Sequence, residues 1–208
     1  MKIYTFDPAP NAQRLSLFLQ CKGIEIETAK IDMMTNEQLG EDYKKINPAS
    51  TIPALVLDDG TVLTEVIGMC VYLEEMFPEK PMLGTNALEK AQVISWDHKI
   101  FNMVMMPVAE ALRNRGDNFV DRALPGPLNV PQIAELAVRG KMRLDYAWPE
   151  LDAEIEGLEW LVGDRLTMAD LDLMICTGFS AWVKGAPPES CKNIHAHAQR
   201  VKQALASI

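Results

Sequence analysis

Residues 55–75 read "LVLDDGTVLTEVIGMCVYLEE", and a change of period inside that stretch decides the fold. "LVL" and "TVLT" are short runs rich in branched apolar residues, and they flank Asp59-Gly60. That dipeptide marks a tight hairpin turn, because glycine enters the positive-φ region at no steric cost. Beyond Glu65 the alternation stops, and Val71, Leu73 and Met76 fall at helical spacing, which predicts a helix from about Glu65 to Phe77. Two antiparallel strands and a covering helix follow. Val66 is out of character at this helix start, where a hydroxyl would serve the unpaired backbone N–H groups better.

Upstream, "KIYTF" reads as a strand, "NAQRLSLFLQCKG" as a helix closed by Gly23, "IEIETAKID" as an alternating strand, and "EDYKKI" as a short helix. The order βαβ, α, ββα predicts a mixed four-stranded sheet in a thioredoxin-like arrangement, since it joins a parallel βαβ unit to an antiparallel hairpin. Downstream, "PEKPMLGTN" carries two prolines and a glycine without periodicity, so residues 79–86 read as a linker after a first domain of residues 1–78. From residue 87 to 208 no strand-like alternation persists, and helical stretches at 87–115, 131–156, 167–184 and 193–206 predict an all-helical second domain. The fold class is therefore α/β plus all-α. "LTMADLDLMI" sets Thr167 three residues before Asp170, a capping box that nucleates a buried helix and serves folding, not catalysis.

A chain of 208 residues can bury a sizeable core, roughly 70% of its unfolded surface. The net charge of −9 argues against a nucleic-acid partner, which needs clustered Lys and Arg. Neither a signal-type N-terminus nor a membrane-length apolar run is present, and an intracellular, cytoplasmic protein is the expectation. Cys21, Cys70, Cys176 and Cys191 are widely spaced, and His195 and His197 point to different helix faces, so no metal site is expected.

The stretch "INPASTIPALVLDDGTVLTEVIGMCVYLE" resembles the N-terminal domain of the glutathione transferase family at Asn47, Pro48, Pro53, Leu55, Asp59, Gly60, Leu63, Glu65, Tyr72 and Leu73. "RNRG", "DRALPGP", "LVGDRLTMADLDL" and "WVKGAPPE" extend the likeness to the bacterial and fungal transferases related to the yeast second-class enzymes; the ending "IHAHAQRVKQALASI" departs from them. The resemblance implies glutathione as co-substrate, detoxifying attack of its thiolate on a small apolar electrophile, and a homodimer. It also implies a candidate cis bond at Ile52-Pro53, the one bond type that reaches cis at modest cost. Ile52 would then offer its backbone N–H and C=O to the cysteinyl part, Glu65 would take the ammonium, and the Val66 N–H the γ-glutamyl carboxylate.

Gln38 falls at a position that binds the glycyl end in relatives, while Leu39, Thr51 and Val66 replace a common Lys, Gln and Ser. Ala9 stands where phi-like relatives carry their serine, and residues 7–14 hold neither hydroxyl nor thiol. Asn11 is the remaining donor for the sulfur; capping the helix is its alternative role, and the two are compatible. Met103 and Met106 are candidates for an adaptable apolar wall for the second substrate, with Arg113 and Asn114 as polar groups beside it. A non-catalytic binding module, or peroxidase or lyase chemistry on the same site, are the alternatives.

Overall fold

The computed structural model describes all 208 residues, which divide into two compact units. The first comprises residues 1–81 together with 124–128, the second residues 82–123 and 129–208. The boundary falls inside the expected linker, which is not a free tether. Lys22 Nζ donates to the carbonyls of Glu79 and Lys80 in the first unit, and the Met168 N–H donates to the Met82 carbonyl in the second. Proline and glycine advertise missing periodicity, not missing partners.

In the first unit, β1 (Lys2–Thr5), β2 (Glu27–Lys30), β3 (Ala54–Val56) and β4 (Val62–Leu63) form a sheet of order β2-β1-β3-β4. β1 and β2 are parallel, and the other pairs are antiparallel. This is the expected thioredoxin-like topology. α1 (Pro10–Lys22) closes on Gly23 at φ 70°, the left-handed C-terminal cap that glycine adopts readily. α2 (Glu41–Lys44) is a single turn, and α3 (Val66–Met76) buries Val66, Met69, Cys70 and Leu73. The hairpin turn is held by Thr61 N–H on Asp59 Oδ1 at 2.8 Å and by Gly60 N–H on the Leu57 carbonyl.

The second unit is all-helical: α4 (Ala87–Ile100), α5 (Met106–Arg113), α6 (Ala134–Glu154), α7 (Met168–Ser180) and α8 (Lys192–Leu205). The expected helix 87–115 is interrupted by a π-turn over Phe101–Met105. The capping box of α7 forms: the Asp170 carboxylate accepts from the Thr167 N–H and hydroxyl, both at 2.8 Å.

α5 and α6 approach closely because position 140 is glycine. A Cβ there would lie 2.5 Å from the Pro107 carbonyl oxygen and 2.9 Å from the Ala111 nitrogen, both backbone atoms that cannot step aside. Gly140→Ala is therefore expected to destabilise the chain by about 1–3 kcal/mol or more, measured by urea unfolding, although alanine is the better helix former. An unchanged midpoint would refute this.

Candidate functional site

Sheet register gathers the sequence candidates of the first unit at one end. β3 and β4 pair Leu55 with Leu63 and Val56 with Val62, so the chain entering β3 from Ile52 and the chain leaving β4 toward Glu65 lie at the same end of the sheet. β1 pairs Tyr4 with Ala54, so the chain leaving β1 toward α1 emerges at the same end. β2 runs parallel to β1 and delivers the loop that holds Gln38 there too. Clefts beyond the carboxyl ends of parallel strands are a recurring place for ligands.

The Ile52-Pro53 peptide is cis, as the sequence led one to expect. Three bonds fix the segment before it. Tyr43 Oη donates to the Thr51 carbonyl at 2.7 Å, and Asn47 Nδ2 donates to the same carbonyl at 2.9 Å and to Thr51 Oγ1 at 3.1 Å. Burial pushes the Tyr43 phenol up to about 12, so it remains a donor at every physiological pH. Thr51 is thus committed to the fold through both oxygens. Ile52, half-buried, makes no hydrogen bond within the chain through either its N–H or its C=O. An extended peptide could add to it as a strand adds to an edge.

Glu65, exposed, is the N-cap of α3 at φ 63° and ψ 117°, a left-handed conformation that costs a non-glycine residue about 1–3 kcal/mol and clusters at ligand clamps. Its carboxylate does not cap the helix. The first intrahelical bond is Met69 N–H to the Glu65 carbonyl, so the amides of Val66, Ile67 and Gly68 stay open at the positive end of the helix dipole. The Val66 side chain is 4% exposed. Valine there serves the core, and only its backbone can face a ligand.

Gln38 lies in a one-turn 3-10 segment (Glu37–Leu39) and is 2% exposed, with its Oε1 unpaired. Ser50, 4% exposed and next to Thr51, likewise keeps an unpaired Oγ. Buried polar atoms without partners are uncommon and ask for an explanation. Neither was legible from periodicity; Ser50 was missed altogether, although it lies inside the motif stretch. Leu39 is half-buried beside Gln38 and offers no polar group.

Asn11 does not cap α1. The helix begins at Pro10, whose fixed φ suits the first helical position and whose missing N–H costs nothing there, so the cap falls on Ala9. Asn11 sits inside the first turn, and its Oδ1 accepts from Arg14 Nη1 at 3.0 Å. A guanidinium only donates, which settles the amide orientation and leaves the Asn11 NH2 without a partner in the chain.

In the second unit, Val104 and Met105 are buried, while Met103 is half-buried and Met106 is exposed. Arg113 and Asn114 belong to the frame. Arg113 donates to the carbonyls of Arg122 and Ala123 and stacks on Phe119 at 4.6 Å; burial lowers its guanidinium to about 10. Asn114 Nδ2 donates to the Glu110 carbonyl, and its Oδ1 accepts from the Ile133 N–H, so both ends of the amide are spent on the fold. The four cysteines are buried free thiols, and burial raises Cys21 to about 11, far from a reactive thiolate. No group of three metal-ligating side chains is present, and no helix is long and apolar enough to cross a membrane.

Comparison with known proteins bears on the family and the fold. The sequence model "Glutathione S-transferase, N-terminal domain" matches residues 9–76, and "Glutathione S-transferase, C-terminal domain" matches residues 119–203. The chain is 26% identical to glutathione S-transferase GstA of Escherichia coli O157:H7 over 98% of this chain and 93% of that one. It is 42% identical to protein LigF of Sphingobium sp., described in its solved structure as a beta-etherase, over 46% of this chain and 38% of that one. The chain thus spans about two fifths of that relative, and likewise of glutathione S-transferases Z1 and Z2 of Arabidopsis thaliana. Yeast Gtt2 superposes over 98% of this chain and 96% of that one with a TM-score of 0.86 at 23% identity, which shows a shared fold.

Proposed function

Because the chain belongs to the glutathione S-transferase family, we propose that it binds glutathione at this end of the sheet and transfers its thiolate to small apolar electrophiles. The observation that carries the reading is the unpaired Ile52 peptide held in place by Tyr43 and Asn47. In that site the backbone of Ile52 pairs with the cysteinyl residue, the carboxylate of Glu65 takes the ammonium, and the open amides of α3 take the γ-glutamyl carboxylate. Gln38 and Ser50 are available for the remaining polar groups of the tripeptide.

The Asn11 NH2 and the N-terminus of α1 favour the anionic sulfur, lowering the free energy of the nucleophilic form. The sulfur then forms a bond to the electrophilic carbon, the leaving group departs with the displaced electron pair, and the thiol proton passes to solvent. An ether carbon can stand in for an aryl halide carbon, with an alkoxide or phenoxide leaving; the likeness to LigF supports including that class. Met103 and Met106 suit the apolar part of such a substrate. Arg113 and Asn114 act at a distance, by holding the loop from Gly116 to Ile133.

A homodimer in the cytoplasm completes the reading. It is supported by Val138, Met142 and Tyr146, which α6 leaves exposed at successive turns, and its mass in solution checks it. Binding without chemistry is the competing reading, favoured by the absence of any hydroxyl or thiol from residue 7 to 14.

Titration with reduced glutathione and turnover of chlorodinitrobenzene separate the two. Glu65→Ala is expected to weaken glutathione tenfold to a hundredfold, since a hydrogen bond to a charged group contributes about 1.5–3 kcal/mol. Wild type that ignores millimolar glutathione would sink the proposal. Binding with no turnover would leave the binding module.

A further inference from the structure

Arg14 lies within the first unit at 5% exposure, one turn along α1 from Asn11, and its Nη1 donates to Asn11 Oδ1 at 3.0 Å. Residues three apart share a helix face, so this bond closes without disturbing the helix. Asn11 has no other partner in the chain. An unrestrained side-chain amide can turn end for end and present either its oxygen or its NH2 to the same place. A guanidinium cannot accept, so only one of those two orientations keeps the bond to Arg14. Burial of Arg14 hinders water from taking over its part.

The orientation matters to an anion at the start of α1. Pro10 has no N–H, and the first intrahelical bond runs from the Gln13 N–H to the Ala9 carbonyl, so the amides of Asn11 and Ala12 stay open at the positive end of the helix dipole. An Asn11 NH2 adds donors to that end, whereas an Asn11 oxygen turned the same way would set an acceptor against the anion. The charge of Arg14 also polarises the amide it holds, drawing electrons toward Oδ1 and making the NH2 the stronger donor. Asp7 on the connection from β1 to α1 and Lys30 on the neighbouring strand pair with each other.

We propose that Arg14 is a positioning residue for the thiolate: by holding Asn11 Oδ1 it keeps the Asn11 NH2 turned to the glutathione sulfur. The inference rests on the glutathione reading above and adds the device by which a chain with no hydroxyl or thiol from residue 7 to 14 holds the anion. Arg14 itself touches no substrate.

The test is a pH titration of the thiol of bound glutathione on the whole protein, followed by the ultraviolet absorbance of its thiolate. Wild type is expected to lower the thiol pKa below that of free glutathione. Asn11→Ala and Arg14→Met are each expected to raise it by about one unit, the scale of one hydrogen bond, and Arg14→Met to leave the affinity for protonated glutathione unchanged. The two shifts do not add: once Asn11 is alanine, Arg14→Met moves the titration no further. An additive double variant would show that Arg14 acts without Asn11, and Arg14→Met at the wild-type value would show that the amide needs no anchor; either overturns the proposal. If Arg14→Met does not fold, Asn11→Asp decides. It keeps the bond to Arg14 but replaces the NH2 with an oxygen, and is expected to raise the thiol pKa above that of Asn11→Ala; a value at or below it overturns the proposal. A wild type whose bound thiol titrates like free glutathione would overturn it while leaving glutathione binding intact. A wild type that binds no glutathione at millimolar concentration would overturn both.

Discussion

Asp170→Ala is expected to cost the chain about 3–5 kcal/mol, because it strands several buried donors at about 1–3 kcal/mol each before relaxation, and to fold poorly at physiological temperature. Both oxygens of this carboxylate are used twice. Oδ2 accepts from the Thr167 N–H and hydroxyl; Oδ1 accepts from the Leu161 N–H and faces His197 Nε2 at 2.9 Å. Asp170 is fully buried and His197 is 2% exposed, so water cannot replace any of these bonds without opening the core. A carboxylate only accepts, so His197 is the donor in this contact, through Nε2.

The arrangement also predicts that Asp170→Asn will not rescue. Asparagine has one acceptor oxygen, so its NH2 would face donors on one side of the network. Urea unfolding and circular dichroism check both variants. A loss below about 1 kcal/mol for Asp170→Asn would show that the second acceptor oxygen and the charge contribute little.

The second large effect is expected at Glu74. Lys22 Nζ lies 2.6 Å from Glu74 Oε2, with the Lys22 side chain wholly buried and that of Glu74 at 7% exposure. Lys22 also holds the Glu79 and Lys80 carbonyls and lies over the Phe18 ring at 5.6 Å. The pair thus joins the last turn of α1 to the last turn of α3 and to the segment that follows.

Glu74→Ala strands a buried ammonium and is expected to destabilise by about 3–5 kcal/mol. Replacing both partners, Lys22→Met with Glu74→Leu, removes the stranded charge along with the attraction and is expected to recover much of that loss. Exchange of the amide hydrogens of Glu79 and Lys80 should still rise in the double variant, because the carbonyls of this segment lose the ammonium. A double variant as unstable as Glu74→Ala would argue that the carbonyl bonds, not the ion pair, dominate.

Several parts of this molecule are written locally in the chain. Asp59-Gly60 makes a turn wherever it stands between two strand-forming runs, Gly23 ends α1, Ile52-Pro53 can be cis, and Thr167 with Asp170 starts α7. Each depends on residues within a few positions of one another. The order of elements then leaves few sheet topologies, and the observed β2-β1-β3-β4 is the one that short, right-handed connections allow.

The candidate residues were legible in their positions and less so in the bonds they make. Asn11 was found as a donor, but its place in the helix was set by Pro10 and its orientation by Arg14. Thr51 and Asn114 looked available as polar side chains, yet tertiary bonds use them up. The unpaired atoms of Gln38 and Ser50 exist because burial removed water from around them, which no pattern of residue types announces.

What the sequence by itself determined is the set of elements, their order and the end of the sheet at which Ile52 and Glu65 fall, since period, turn chemistry and register are short-range properties. Tertiary structure alone decided the partners across long stretches of chain. Lys22 meets Glu74 and His197 meets Asp170. Residues 124–128 join the first unit, and Arg143 meets the Asn102 carbonyl. The physical reason is that a buried charge must find a partner once water is excluded, and which group arrives is fixed by packing rather than by neighbours in sequence.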